Sequence, residues 1–190
     1  MHRKPLLELL ERYLVRHPDE RPTVDHVRQF VRANADCFLR SCVDGHITGS
    51  AWILSHDHTS FLLTHHAKLG RWLQLGGHAD GDPDPASVAL REAREESGMT
   101  DFTLATVDGE ALVFDVDVHL IPARGAEPAH LHHDIRYLLV AASGQSLRVS
   151  SESHDLGWFP CARALDMLEG ESLLRMARKA DRMLRDGTLS

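Results

Sequence analysis

One short segment restricts the architecture of this chain more than any other: GGHADGDPDPASVALREAREESGM, from Gly76 to Met99. Its second half carries its own start and stop signals for a helix. Asp84 suits the N-cap, Pro85 the first helical position, where a missing N–H costs nothing, and Gly98 the residue just past the last turn. At about 100° per residue, Glu92, Glu95 and Glu96 share one face, while Ala86, Ala89, Leu90 and Ala93 share another that can pack on a sheet. Like charges at this spacing cost roughly 0.2–0.5 kcal/mol per pair on an isolated helix, and desolvation adds to that. Such a helix either turns its acids to bulk water or holds a cation.

Magnesium fits the acidic face, because it is a hard ion that takes oxygen ligands and bridges a few carboxylates to substrate phosphates. The preceding loop adds Gly76-Gly77, which permits close backbone approach, and the carboxylates of Asp80 and Asp82. Residue by residue, the segment resembles the Nudix box, GX5EX7REUXEEXGU with U a bulky apolar residue. Gly77 matches the first Gly, Arg91-Glu92 match RE, Glu95-Glu96 match EE, Gly98 the last Gly and Met99 the final U. Ala93 is a small U, and Pro83 stands where the family has its first Glu. That substitution bears on the loop more than on the helix, and Asp82 or Asp84 could take over the missing carboxylate's part.

The resemblance implies an α/β/α sandwich around a mixed sheet, in the α+β class. It also implies hydrolysis of a nucleoside diphosphate linked to another group, or of a similar small diphosphate compound, with Mg2+ or Mn2+ as cofactor. Carried onto this sequence, Glu92, Glu95 and Glu96 are the catalytic and metal-holding residues, and Gly77, His78 and Arg91 face the substrate. Arg91 is also expected to pair with a box glutamate and fix its rotamer. The general base lies in the box or on a distant loop, where Glu152, His154 and Asp155 qualify by position. A second reading is a nucleotide-binding module of the same fold that does not cleave its ligand, motivated by Pro83 and by a helical N-terminal stretch.

The rest of the chain is consistent with one domain and an extension. Its 190 residues include 43% hydrophobic and 26% charged, ordinary for a globular protein, and a formal charge of −7 opposes general affinity for a nucleic-acid backbone. No apolar run is long enough to span a membrane, no signal-type segment opens the chain, and the three cysteines show no metal-ligand spacing. A cytoplasmic protein with free thiols is the expectation. Apolar residues at helical spacing predict helices over 5–16 and 24–34, so that residues 1–36 form a helical extension and 37–190 the Nudix domain. The extension is expected to pack on that domain or to make a homodimer contact.

Strands are expected at 45–55, 60–64, 72–75, 102–107, 111–121, within 130–142, at 157–159, and as a short piece at 147–149; residues 38–43 are ambiguous. Residues 161–184 read as helix, broken near Gly170. On a strand His130 and His132 face one way and His133 the other, with Asp134 and Arg136 continuing the first face. Three histidines so arranged do not easily bind one ion; the stripe reads either as leading into a pocket or as exposed residues at a strand start, and the second reading is preferred. Trp52, Phe61, Trp72 and Tyr137 are the rings available to hold a base, although a core position suits most of them.

Overall fold

The computed structural model describes residues 2–67, 69–107, 109–125, 128–150 and 153–188. Two helices open the chain, α1 at Lys4–Arg16 and α2 at Arg21–Ala33, joined by a 3-10 turn at Pro18–Glu20. Each turns an apolar stripe inward: Leu6, Leu10, Tyr13 and Leu14 on α1, and Val24, Val27 and Val31 on α2. Strands β1 (Gly45–Leu54), β2 (Ser60–His66), β3 (Arg71–Leu73) and β4 (Leu75–His78) lead into α3 at Pro85–Ser97. After it come β5 (Phe102–Leu104), the small hairpin of β6 (Thr106–Val107) and β7 (Glu110–Ala111), then β8 (Val113–Ile121), β9 (His130–Ala141) and β10 (Ser153–Pro160). Helices α4 (Ala164–Met167) and α5 (Glu171–Arg185) follow, separated at Gly170 as the sequence suggests.

Eight strands form one mixed sheet in the order β10-β2-β1-β9-β5, with β3 beside β2, β4 beside β1 and β8 beside β9. Only β1 and β9 run parallel among these pairs. Side chains alternate along a strand, so β1 and β9 feed two cores at once. Ile47, Ala51, Ile53, Ile135, Tyr137 and Leu139 join α1, α2 and α3 on one side. Trp52, Leu54 and Leu138 join Leu173, Met176 and Ala177 of α5 on the other. This is the α/β/α sandwich expected, and α1 and α2 are built into its first core.

The departures from expectation have local causes. Residues 72–78 are two strands, because the chain changes partner at Gln74: β3 pairs with β2, and β4, glycines included, pairs with β1. Residues 102–107 also split, β5 joining β9 while β6 joins β7. The segment at 147–149 is extended but unpaired, since the Arg148 N–H is spent on the Ser97 carbonyl (2.7 Å) at the end of α3. Residues 38–43 form turns. All three cysteines are free thiols, and among the described residues no helix is long and apolar enough to cross a membrane.

His133 is not exposed. It points away from His130 and His132, as the alternation requires, into a stack with Phe30 (3.8 Å between centroids) and His26 (5.4 Å) of α2. Burial, with His26 close by, pushes its imidazole down to about 3. An unfolded histidine titrates near pH ~6.5, so below that value the unfolded chain takes up a proton the folded chain refuses. The corresponding stability is whole above about pH 6.5 and is lost progressively as pH falls toward 3. Urea midpoints measured across this window should fall with acid, and His133→Leu should flatten the fall. An unchanged slope in the variant would refute the assignment.

Candidate active site

The sheet face beneath α5 changes character along its length. In register order it carries His46, Thr48, Ser50, Trp52 and Leu54 on β1, beside His132, Asp134, Arg136, Leu138 and Val140 on β9. The apolar members lie under α5, whereas Thr48, Ser50, His132 and Asp134 line a cleft of about 760 Å³ that no α5 residue lines. The same alternation continues on β8 as Asp115, Asp117 and His119. Of this period-two polar row, Thr48, Ser50, His119, His132 and Asp134 reach the cleft, whereas Asp115 and Arg136 lie under α5 and bond to it. His130, expected at the surface, is only 6% exposed here, with Ile121 opposite it on β8 and the rings of His46 and His132 4.9 and 5.2 Å away.

The wall of the cleft is α3 with the strand that precedes it. Asp84 accepts a hydrogen bond from the Ala86 N–H (3.1 Å), Pro85 opens the helix, and Gly98 closes it at φ 73°. Glu92, Glu95 and Glu96 all line the cleft, as do Gly76, Gly77, His78 and Arg91. Gly77 is required by space: a Cβ there would fall 2.5–2.7 Å from the Glu92 carboxylate. Arg91 donates to the His78 carbonyl (2.7 Å) and to Glu92 Oε1 (2.8 Å), tying the helix to β4 and setting the Glu92 rotamer.

Pro83 leaves the loop well held. Asp82 accepts from the Asp84 N–H (2.9 Å), Asp84 caps the helix, and Asp80, at φ 51°, takes both arms of Arg40 (2.6 and 2.8 Å). Three aspartates thus supply the side-chain hydrogen bonds that order this turn. Arg40 also reaches into the electrostatics of His78, whose imidazole burial pushes down to about 4 with help from Arg40 and His46. At the floor, Asp134 accepts from Thr48 Oγ1 (2.8 Å), Ser50 Oγ (2.8 Å) and Arg136 Nε (2.7 Å). Burial opposes its charge, but Arg136 and these donors hold the carboxyl below its ordinary value.

Other expected residues fall elsewhere. His154 is exposed on β10, its ring 5.6 Å from that of His65, and it does not line the cleft. Glu152 lies outside the described residues. Trp52, Phe61 and Tyr137 are buried in the cores, and Trp72 packs edge-on against Phe159 (4.9 Å). None of these four rings lines the cleft.

The NUDIX domain family model matches residues 46–184, which takes in the whole sheet, α3 and nearly all of α5. The chain belongs to the Nudix family. It is accordingly a pyrophosphohydrolase, acting on phosphoric anhydrides. Among solved Nudix structures it is similar to the C. elegans Ap4A hydrolase binary complex (TM-score 0.58, 18% identity, 74% of this chain and 98% of that one). It is also similar to a Nudix-family hydrolase from Clostridium perfringens (TM-score 0.53, 25% identity, 73% and 97% covered). No protein of curated function matches significantly. In this Nudix chain the box supplies the wall of the cleft, while Thr48, Ser50, His119 and Asp134 supply part of its lining from outside the box. Reading β1 and β8 for alternating polar residues would have found Thr48, Ser50 and His119; Asp134 already shares the His132 face of β9.

Proposed function

We propose that the chain hydrolyses the diphosphate linkage of a nucleoside diphosphate bonded to another group, or of a similar small diphosphate compound, with Mg2+ or Mn2+ held by Glu92, Glu95 and Glu96. The observation that carries this reading is that the acidic face of α3 opens into the same cleft as Gly76-Gly77 and Arg91. The donor set is all carboxylate oxygen, which suits a hard divalent ion. The close seat of Glu92 over Gly77 supports the fit, because that space stays open only without a side chain. When bound, such an ion neutralises phosphate charge and makes water a better nucleophile.

The chain's own residues do the rest. Arg91 keeps Glu92 in one rotamer, which fixes the reacting geometry and removes an entropic cost from the attack. Gly77 and His78 offer strand backbone and an uncharged imidazole to the phosphates. We place the proton acceptor in the box, because His154 stands outside the cleft. Water oxygen joins one phosphorus, the bridging P–O bond breaks, and two phosphorylated products leave. The partner group has no aromatic ring to stack on beyond histidines among the described lining residues, so polar and aliphatic contacts should set its selectivity.

A panel of diphosphate compounds tests this. Nucleotide sugars, dinucleoside polyphosphates and non-nucleoside diphosphates are each incubated with Mg2+, with Mn2+ and with chelator. Sustained release of phosphorylated products from at least one compound, abolished by chelator, is the expected result. Binding without turnover across the whole panel would instead mark a ligand-sensing module.

A further inference from the structure

The geometry points to a second cation site in this protein, built from His46, His130 and His132 and suited to a divalent transition ion of the zinc class. One ring nitrogen from each of the three lies within 4.8 Å of the others. The register explains the meeting: His46 sits directly opposite His132 on the parallel pair β1 and β9, and His130 precedes His132 by two residues on the same face. His133 takes no part, since it belongs to the opposite face. His119, opposite His132 on β8, and His78 bring two more rings, at 5.4 and 4.9 Å from His132.

Hydrogen bonding prepares the rings to ligate. His130 Nδ1 lies 3.0 Å from the Pro128 carbonyl oxygen, which can only accept. The ring must therefore donate from Nδ1, which leaves a lone pair on Nε2, and this outer contact also fixes the ring plane. His119 has a comparable contact from Nδ1 to Asp117 Oδ2, at 3.3 Å. His132 Nε2 is buried and has no hydrogen-bond partner. A buried imidazole nitrogen in that condition has given up water without replacing it, and a bound ion would fill the gap.

The donor set selects the ion. Neutral imidazoles suit Zn2+, Cu2+, Ni2+ and Fe2+, whereas Mg2+ prefers oxygen. Zinc–imidazole bonds of about 2.0–2.1 Å would bring the three nitrogens to roughly 3.3 Å apart in a tetrahedral site. Side-chain rotation on a fixed sheet covers that difference. His130 and His132 line the cleft, so the fourth position opens toward the volume that the box carboxylates border. This site is separate from the carboxylate site and does not depend on the hydrolase reading.

The test uses the full chain stripped of metal with chelator, then dialysed against Zn2+ in the presence of a large excess of Mg2+. Metal content and thermal midpoint are read on the wild type, His132→Asn, His130→Gln, His46→Asn and the pair Glu95→Gln with Glu96→Gln. The wild type and the glutamate variants are expected to retain one zinc per chain and to gain thermal stability from it. Each histidine variant should bind zinc more weakly by about tenfold or more and lose that gain. Added Co2+ should develop the visible bands of a nitrogen-ligated site in the wild type but not in His132→Asn. Absence of zinc from the wild type, or equal retention by the histidine variants that fold, would overturn the proposal. Loss of zinc from the glutamate variants would do the same by placing the ion on the box. Because no substrate is present, these outcomes leave the hydrolase reading untouched.

Discussion

Changing Glu95 or Glu96 to glutamine should lower turnover by about a hundredfold or more while the fold is retained. Glutamine keeps the shape and the neutral hydrogen-bonding capacity of the side chain but removes the charge that opposes a divalent cation. Removing one preorganised electrostatic contact to a developing charge costs about 10²–10³ in rate, and a weakly held metal adds to this. Stability should move little, or rise slightly, because Glu92 and Glu96 are like charges at helical i,i+4 spacing and relieving such a pair is favourable by a few tenths, roughly 0.2–0.5 kcal/mol. Steady-state kinetics against Mg2+ concentration, paired with thermal unfolding, separates the two effects. Near-normal turnover in both variants would remove these residues from the metal site while leaving the family assignment in place.

The second large effect concerns stability. Asp115 is fully buried on β8, and its two carboxylate oxygens take Arg136 (3.0 Å), Arg175 (two contacts at 2.8 Å) and Lys179 (2.6 Å). Lys179 is itself only 3% exposed, bonds the Tyr13 hydroxyl (2.5 Å) and pairs with Glu20 (2.7 Å). Arg136, at 2% exposure, reaches on to Asp134, Asp117 and Ser172. Deleting Asp115 strips Arg136, Arg175 and Lys179 of their shared buried acceptor and leaves part of each cation's hydrogen bonding unmet. Asp115→Ala should therefore cost about 3–5 kcal/mol, a large share of the roughly 5–15 kcal/mol that holds a domain together. By contrast Asp181→Ala, which loses an exposed pair with Arg185 (2.9 Å), should change stability by less than about 1 kcal/mol. Denaturant titration of both variants decides the matter, and equal small losses would refute the network's role.

What the sequence made readable follows from how local each signal is. The caps of α3, the stripes of α1 and α2 and the opposed faces of His132 and His133 depend on neighbours a few residues away, and each appears as expected. The Arg91–Glu92 pair is of the same kind. The placement of His46 opposite His132 depends on a parallel pairing between residues far apart in the chain, which no local pattern encodes. The burial of His130 was illegible for a related reason: alternation shows which residues share a face, but not where α5 stops covering it. Gln74 likewise gave no sign that the strand around it would change partners, a switch that leaves its amide 3.4 Å from Asp134.

Tyr13 and Lys179, separated by most of the polypeptide, meet over a single buried aspartate on β8. The opening helices thus share interior contacts with the span 46–184 that the family model matches. Trimming the gene to that shorter span would remove Tyr13 and Glu20 from Lys179 and take α1 and α2 away from the core that holds Val116 and Ile135. The opening helices are less an appendage than a wall of the first core.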